Sequence, residues 1–365
     1  MATRRGFLGA GLAFCGCCML HRAHAQQAAP QQAAPVRRPV MLGGQAVRTI
    51  DTHTHCIFQD ALALMGAAGQ NIVPPTKGVD EHFLLKGVDG RLRSMDEMGI
   101  DMEVLSINPF WYGADRDTAG RIVAMQNAHL SELCAAYPDR FGAFASLTLQ
   151  FPDLAAKQLE EAMKLPGIRG AAIGGSVMGA SFAEPRFRPV LAKAAELGAV
   201  LFIHPQAIPE LNPRLAGNGW MGNTIGNPLE TTIALEHLIF EGVLDQLPNL
   251  KILAAHGGGF LPSYAPRIDH GCFVSPQNCN PGITLKKQPS EYLNQMYYDA
   301  LVFTPEALRH LVAQVGSSQV VLGTDFPIPW ELHPVDMVLA TKSLSQAEMV
   351  AILGGNAAGL MGLPA

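Results

Sequence analysis

The stretch TIDTHTHCIF, residues 49–58, decides the fold, because an apolar run ends there in three chemistry-bearing residues spaced two apart. In an extended strand, residues i, i+2 and i+4 share one face, so Asp51, His53 and His55 point the same way. Buried imidazoles on one face of a strand are costly unless something there uses them. For a lone His-x-His the plain alternative is hydrogen bonding within the strand. The rest of the chain has to separate the two readings.

Seven more runs resemble strands: DMEVLSIN (101–108), FGAFASL (141–147), GIRGAAIG (167–174), AVLFIHP (199–205), LKILAAHGG (250–258), MYYDALV (296–302) and VVLGTDFP (320–327). Between them lie stretches such as AGRIVAMQNAHLSELCAAYP and FRPVLAKAAELG, with apolar residues at helical spacing. Eight strands with intervening helices predict an α/β protein, a (β/α)8 TIM barrel, with an open doubly wound sheet as the alternative. The spacing from His55 to Asp325 gives units of about 39 residues, which suits a barrel. No Gly-x-Gly-x-x-Gly turn follows the first strand to mark a dinucleotide fold. The longest extra segments, 56–95 and 206–228, follow strand ends, where barrels carry their substrate loops. The first is a small insertion after strand 1.

The N-terminal stretch TRRGFLGAGLAFCGCCMLHRAHA pairs Arg4 with Arg5, continues into a short apolar run and ends in Ala23-His24-Ala25. It resembles a twin-arginine export signal over residues 1–25, which predicts the export machinery as a partner and a periplasmic location. A retained anchor is the other reading, although the run is short and rich in Gly and Cys for a spanning helix. Residues 26–46, rich in Gln, Ala and Pro, read as a disordered tether, leaving 47–365 as the barrel. Cys56, Cys134, Cys272 and Cys279 lie beyond the signal. A core this large needs no staple, so free thiols are expected over a Cys272–Cys279 pair. With 365 residues, 16% charged and a net charge of −5, the chain has no basic footprint for nucleic acid.

The strand ends now line up. His53 and His55 end the first strand, His204 the fifth (LFIHPQ), His256 the sixth (LAAHGGG) and Asp325 the eighth (LGTDFP). Taken singly, His204 reads as a strand-end residue and Asp325 as a helix cap. Four apolar strands ending in metal-capable residues at the same end point instead to one barrel mouth. Imidazoles with a carboxylate suit a borderline divalent ion such as zinc.

The motifs D-x-H-x-H, IHP, HGGG and GTDFP, with NPLETTIALEHLIFEGVLDQLPNLKILAAHGGGFLPSYAPRIDHG (227–271), resemble the amidohydrolase superfamily. More specifically, they resemble its aminocarboxymuconate-semialdehyde decarboxylase-like branch. The likeness runs from about residue 47 to 363. It implies metal ligands at His53, His55, His204 and Asp325, with His256 as acid/base beside the metal and the proton relayed through His256 or Asp325. It also implies that Arg267 meets the substrate carboxylate in a neighbouring subunit, hence a homodimer; on residue type alone, Arg267 would be an exposed helical arginine in a salt bridge. Binuclear relatives carry a bridging lysine on the fourth strand, where this chain has GIRGAAIGGS. One divalent metal is therefore expected, zinc first and manganese second, with no organic cofactor. Relatives tend to have Trp where this chain has Gln206, which is expected to face the substrate. Trp330 is a candidate aromatic wall, and one of Lys86, Arg91 or Arg93 a further carboxylate contact. Asp51 is expected to stand behind the histidines and orient an imidazole.

The reading is a metal-dependent, non-oxidative decarboxylase of a small unsaturated or aromatic carboxylic acid. The same constellation could instead activate water against a lactone, ester or amide. A third reading, from a different class, is a non-catalytic periplasmic acid-binding protein.

Overall fold

The structure, a computed structural model, describes residues 39–363 except 70–71, 74–78 and 280–281. The export signal and most of the tether lie outside the described residues. Strands β1 (Val40–Leu42) and β2 (Gln45–Val47) pair antiparallel, with Val40 opposite Val47. They turn through Gly43 and Gly44 at φ of 58° and 81°, the left-handed angles a two-residue hairpin requires and glycine adopts freely. The tether expected over 26–46 is thus corrected at its far end, where a hairpin begins at residue 40. Gly-Gly between two short apolar runs was the overlooked signal.

The next eight strands are β3 (Ile50–His55), β4 (Met102–Ser106), β5 (Phe141–Ala145), β6 (Ile168–Gly174), β7 (Val200–His204), β8 (Lys251–Ala254), β9 (Met296–Asp299) and β10 (Val320–Val321). Each pairs parallel with the next. The first and last meet through Thr52 N–H to Leu322 O (2.9 Å), Asp325 N–H to His53 O (2.8 Å) and His55 N–H to Phe326 O (2.7 Å). That seam closes the ring, so the barrel is found and the open sheet is not.

Local chemistry sets the helix ends. Asp115 caps Arg116–Ala136 by accepting from the N–H groups of Asp117 and Thr118, and Gly99, at φ 74°, ends Val88–Met98. One apolar layer lies between helices and strands. A second fills the barrel interior, where Val104, Phe144, Phe202, Leu253 and Val321 pack with Ala357, Leu360 and Met361 of the C-terminal helix. This helix and the turn of chain before it, Ala351–Gly355, stopper the end at which β3 starts: a Cβ on Gly354 would lie 2.2 Å from the Arg48 carbonyl oxygen. With that end filled by hydrocarbon, polar chemistry is confined to the other.

Two expectations are corrected here. Cys272 and Cys279 form a disulfide, while Cys56 and Cys134 are free and buried. The turn after helix Leu261–Val274 brings the two Cα atoms to 5.3 Å, so the bridge staples a helix end and not the core. Arg91 is no substrate contact. It is fully buried, bonded through Nε to Glu103 Oε2 at 2.5 Å, and it donates to the carbonyls of His55 (2.7 Å) and His82 (3.2 Å). An arginine that looks free on a helix therefore clamps the functional end of β3. Arg91→Met strands the Glu103 carboxylate and should cost about 3–5 kcal/mol in urea unfolding, most of it recovered in the double variant Arg91→Met/Glu103→Leu. Equal losses in both would assign the stability to the carbonyl bonds instead.

A candidate metal centre at the barrel mouth

β3 delivers His53 and His55, β7 delivers His204, and the turns after β8 and β10 deliver His256 and Asp325. The last two hold left-handed backbone, φ 57° and 62°, a strained choice for residues with a Cβ that is found at functional sites. The hydrogen bonds fix which ring nitrogens are free. His53 Nδ1–H donates to Asp299 Oδ2 (2.6 Å), leaving the Nε2 lone pair exposed. Ser106 gives its hydroxyl proton to the Thr54 carbonyl (2.8 Å), so His55 Nδ1–H must donate to Ser106 Oγ (2.9 Å), again leaving Nε2 bare.

These two lone pairs face each other at 3.2 Å. Asp325 Oδ1 lies 3.3 Å from His53 Nε2 and 2.8 Å from His55 Nε2, with His204 Nε2 at 3.8 Å. Acceptors this close repel unless positive charge sits among them. Atoms sharing one ion at about 2.0–2.1 Å would stand at such spacings. His204 adds two buried ring nitrogens without a hydrogen bond. The residues therefore fit a divalent metal. His53, His204, His256 and Asp325 also aim ligand atoms into one space, all within 4.8 Å of one another.

Electrostatics agree. Burial opposes charging His53, but the Asp325 and Asp299 carboxylates outweigh it and push the imidazole up to about 10: the cluster demands a cation. Burial and the neighbouring imidazoles hold His204 well below the usual histidine range, neutral as a ligand must be. Burial likewise opposes the Asp325 carboxylate, yet His53 and the other imidazoles hold it well below the usual range.

Asp299, at the end of β9, was missed. Its carboxylate accepts from His53 and from the backbone N–H groups of His256 (2.9 Å), Gly257 (2.9 Å) and Leu301 (3.1 Å). The rule that found the histidines could have found it in MYYDALV. Asp51 does not orient an imidazole, which corrects the expected role: it accepts from the His53 backbone N–H (3.1 Å) and Thr324 Oγ1 (2.5 Å). Burial and the nearby Glu103 push it up to about 7.

A cavity of about 300 Å³ opens over His55, His204 and Asp325. Ile57, Phe83, Phe110, Ile328, Trp220 and Trp330 wall it, with Asn108, Gln206, Asn223 and Asn227 as polar lining. Trp330 stacks on Trp220 at 5.2 Å and 13°. Gln206 lines the cavity, but its amide is engaged, Nε2 donating to the Pro109 carbonyl (2.7 Å). Arg267 is exposed on helix Leu261–Val274, in a separate depression with Leu229, Phe260 and Tyr264. His256 reaches Asp325 Oδ2 at 3.7 Å and is the most exposed of the five, 16% against 7% or less.

Known proteins resemble this chain in sequence and fold. The family profile described as Amidohydrolase matches residues 50–363. A 2-amino-3-carboxymuconate-6-semialdehyde decarboxylase of Dictyostelium discoideum is 34% identical, over 75% of this chain and 76% of the relative. A gamma-resorcylate decarboxylase of Rhodococcus jostii (strain RHA1) is 32% identical, over 77% and 89%. The crystal structure of a dihydroxybenzoic acid decarboxylase from Polaromonas sp. JS666, with bound manganese and 2-nitroresorcinol, superposes with a TM-score of 0.76 at 28% identity, covering 87% of this chain and 97% of that one. With the family profile matching nearly the whole barrel and these relatives alike in sequence and fold, the chain belongs to the amidohydrolase superfamily, in its aminocarboxymuconate-semialdehyde decarboxylase-like branch.

Proposed function

We propose that this protein is a metal-dependent, non-oxidative decarboxylase of a small aromatic or unsaturated carboxylic acid. The observation that carries the reading is the meeting of bare His53 and His55 nitrogens with Asp325 beneath a cavity walled by aromatic and aliphatic side chains. The decarboxylases among its relatives support it.

His53, His55, His204 and Asp325 would hold one divalent ion, whose Lewis-acid charge would hold the acid's carboxylate. Zinc suits this ligand set, and manganese is supported by the relative that binds it. His256, on the solvent side, delivers a proton to the carbon that bears the carboxylate. The bond to the carboxylate carbon then breaks, its electron pair returns to the ring or diene, and carbon dioxide leaves. The walls keep bulk water from the reacting carbon. Arg267 is exposed and lines a depression separate from its own cavity, which supports a homodimer in which it reaches a neighbour's acid; light scattering that finds only monomer removes that role.

Protein stripped by chelator and reloaded with Zn2+ or Mn2+ is incubated with hydroxybenzoic acids, muconic acids and lactones. Carbon dioxide release is expected, and lactone opening without it would establish the hydrolase instead. Reactivation by Mn2+ alone would overturn zinc as first choice. His53→Ala should lose the metal, whereas His256→Ala should keep it and lose about 10²- to 10⁴-fold in turnover. Metal release by His256→Ala would make His256 a ligand. Asp299→Asn removes the charge that orients His53 and should weaken metal binding about 10- to 100-fold in chelator competition, with the fold retained. An unchanged competition curve would show that His53 needs no partner.

A further inference from the structure

The ring of His204 lacks what fixes the other two ligand imidazoles. Asp299 sets the His53 ring and Ser106 the His55 ring, whereas among the described residues no hydrogen bond reaches either nitrogen of His204. A metal-holding histidine normally has its second nitrogen bonded, which orients the ring. What remains to place His204 Nε2 near Asp325 Oδ1, 3.8 Å away, is packing and the backbone that carries the ring.

That backbone leaves the sheet at the ring itself. β6 and β7 pair from Gly170 opposite Val200 to Gly174 opposite His204, where the ladder stops. Two residues farther along each chain, the pair is tied again, this time through a side chain. Glu230, on helix Asn227–Phe240, accepts from the Ser176 hydroxyl through Oε1 (2.8 Å) and from the Gln206 N–H through Oε2 (2.6 Å). Glu230 is buried, and a carboxylate is costly to bury unless it is bonded in this way. Gly175 leaves room for it, since a Cβ there would lie 2.8 Å from Glu230 Cγ. With one oxygen on each chain, the carboxylate extends the β6–β7 pairing past the point where main-chain bonds end.

We propose that Glu230 is a positioning residue for the metal centre: by bridging Ser176 and Gln206 it holds the chain that carries His204, and so aims the ligand imidazole that no side-chain hydrogen bond orients. The proposal rests on the reading of His53, His55, His204 and Asp325 as ligands of one divalent ion. Glu230 acts by its span between two loops and not by its charge.

Two variants separate span from charge. Glu230→Asp keeps the charge but is one methylene short of bridging both loops. Glu230→Gln keeps the span, its carbonyl accepting from Gln206 N–H and its NH2 donating to Ser176 Oγ. Zn2+ affinity is read by chelator competition on the stripped protein, and urea unfolding of the metal-free protein reads stability separately. Glu230→Asp is expected to bind Zn2+ about 10- to 100-fold more weakly, and Glu230→Gln close to wild type. Equal affinity of Glu230→Asp and wild type overturns the proposal, and a fall in urea stability alone would then make Glu230 a clamp of the fold only. Weakening in Glu230→Gln as large as in Glu230→Asp also overturns it, because span would not be what the site uses. Should Glu230→Asp fail to fold without metal, Ser176→Ala, which cuts one of the two ties, takes its place: weaker Zn2+ binding is expected, and an unchanged affinity overturns the proposal. Wild type that binds neither Zn2+ nor Mn2+ overturns the metal site and this proposal together. Wild type that binds metal but decarboxylates nothing fails the decarboxylase reading alone, and the same titration still decides Glu230.

Discussion

The Asp299 carboxylate is the constraint on which the rest depends. It collects four N–H donors, one from the His53 ring and three from the backbone around the ends of β8 and β9. By taking the His53 Nδ1 proton it forces Nε2 to be the bare nitrogen. By taking the His256 N–H it fixes the turn that carries the acid/base candidate. One side chain therefore couples the metal-holding half of the site to the proton-handling half. Charge follows from geometry: Asp299 is held below the usual carboxylate range, against its burial, by the same His53 bond.

Much of this was legible in the sequence. The eight apolar runs, the period of two in IDTHTH and the polar residues closing otherwise apolar strands reach the barrel and all five cluster members, because strand periodicity and burial are local properties. What stayed illegible was where partners come from. The period of two expects Asp51 on the face of His53, but the strand's register shifts between Asp51 and Thr54, and the ring turns to Asp299, 246 positions away. Arg91 has the type and placement of a substrate clamp, but the Glu103 carboxylate on β4 claims it. Gln206 borders the cavity, but a carbonyl on another loop has its amide. A side chain's type shows what it can bind, and only the closed ring shows who competes for it.

The disulfide and the hairpin mark the same limit at the periphery. Neither is needed for the core, so neither hydrophobic pattern nor size calls for them. Both are local geometry, a left-handed Gly-Gly turn and a helix end that doubles back.

The seam between β3 and β10 has a kinetic side. His53 and Asp325 lie on opposite sides of it, joined by the Asp325 N–H to His53 O bond, and the C-terminal helix fills the interior below. The two halves of the metal site are therefore separated by nearly the whole barrel sequence, and loop-closure entropy must be met before they meet. Locally, a metal ion would find only the His53–His55 pair. The complete set with His204 and Asp325 would assemble around an ion once the ring has closed, which would make full metal occupancy a reporter of completed folding as well as of chemistry.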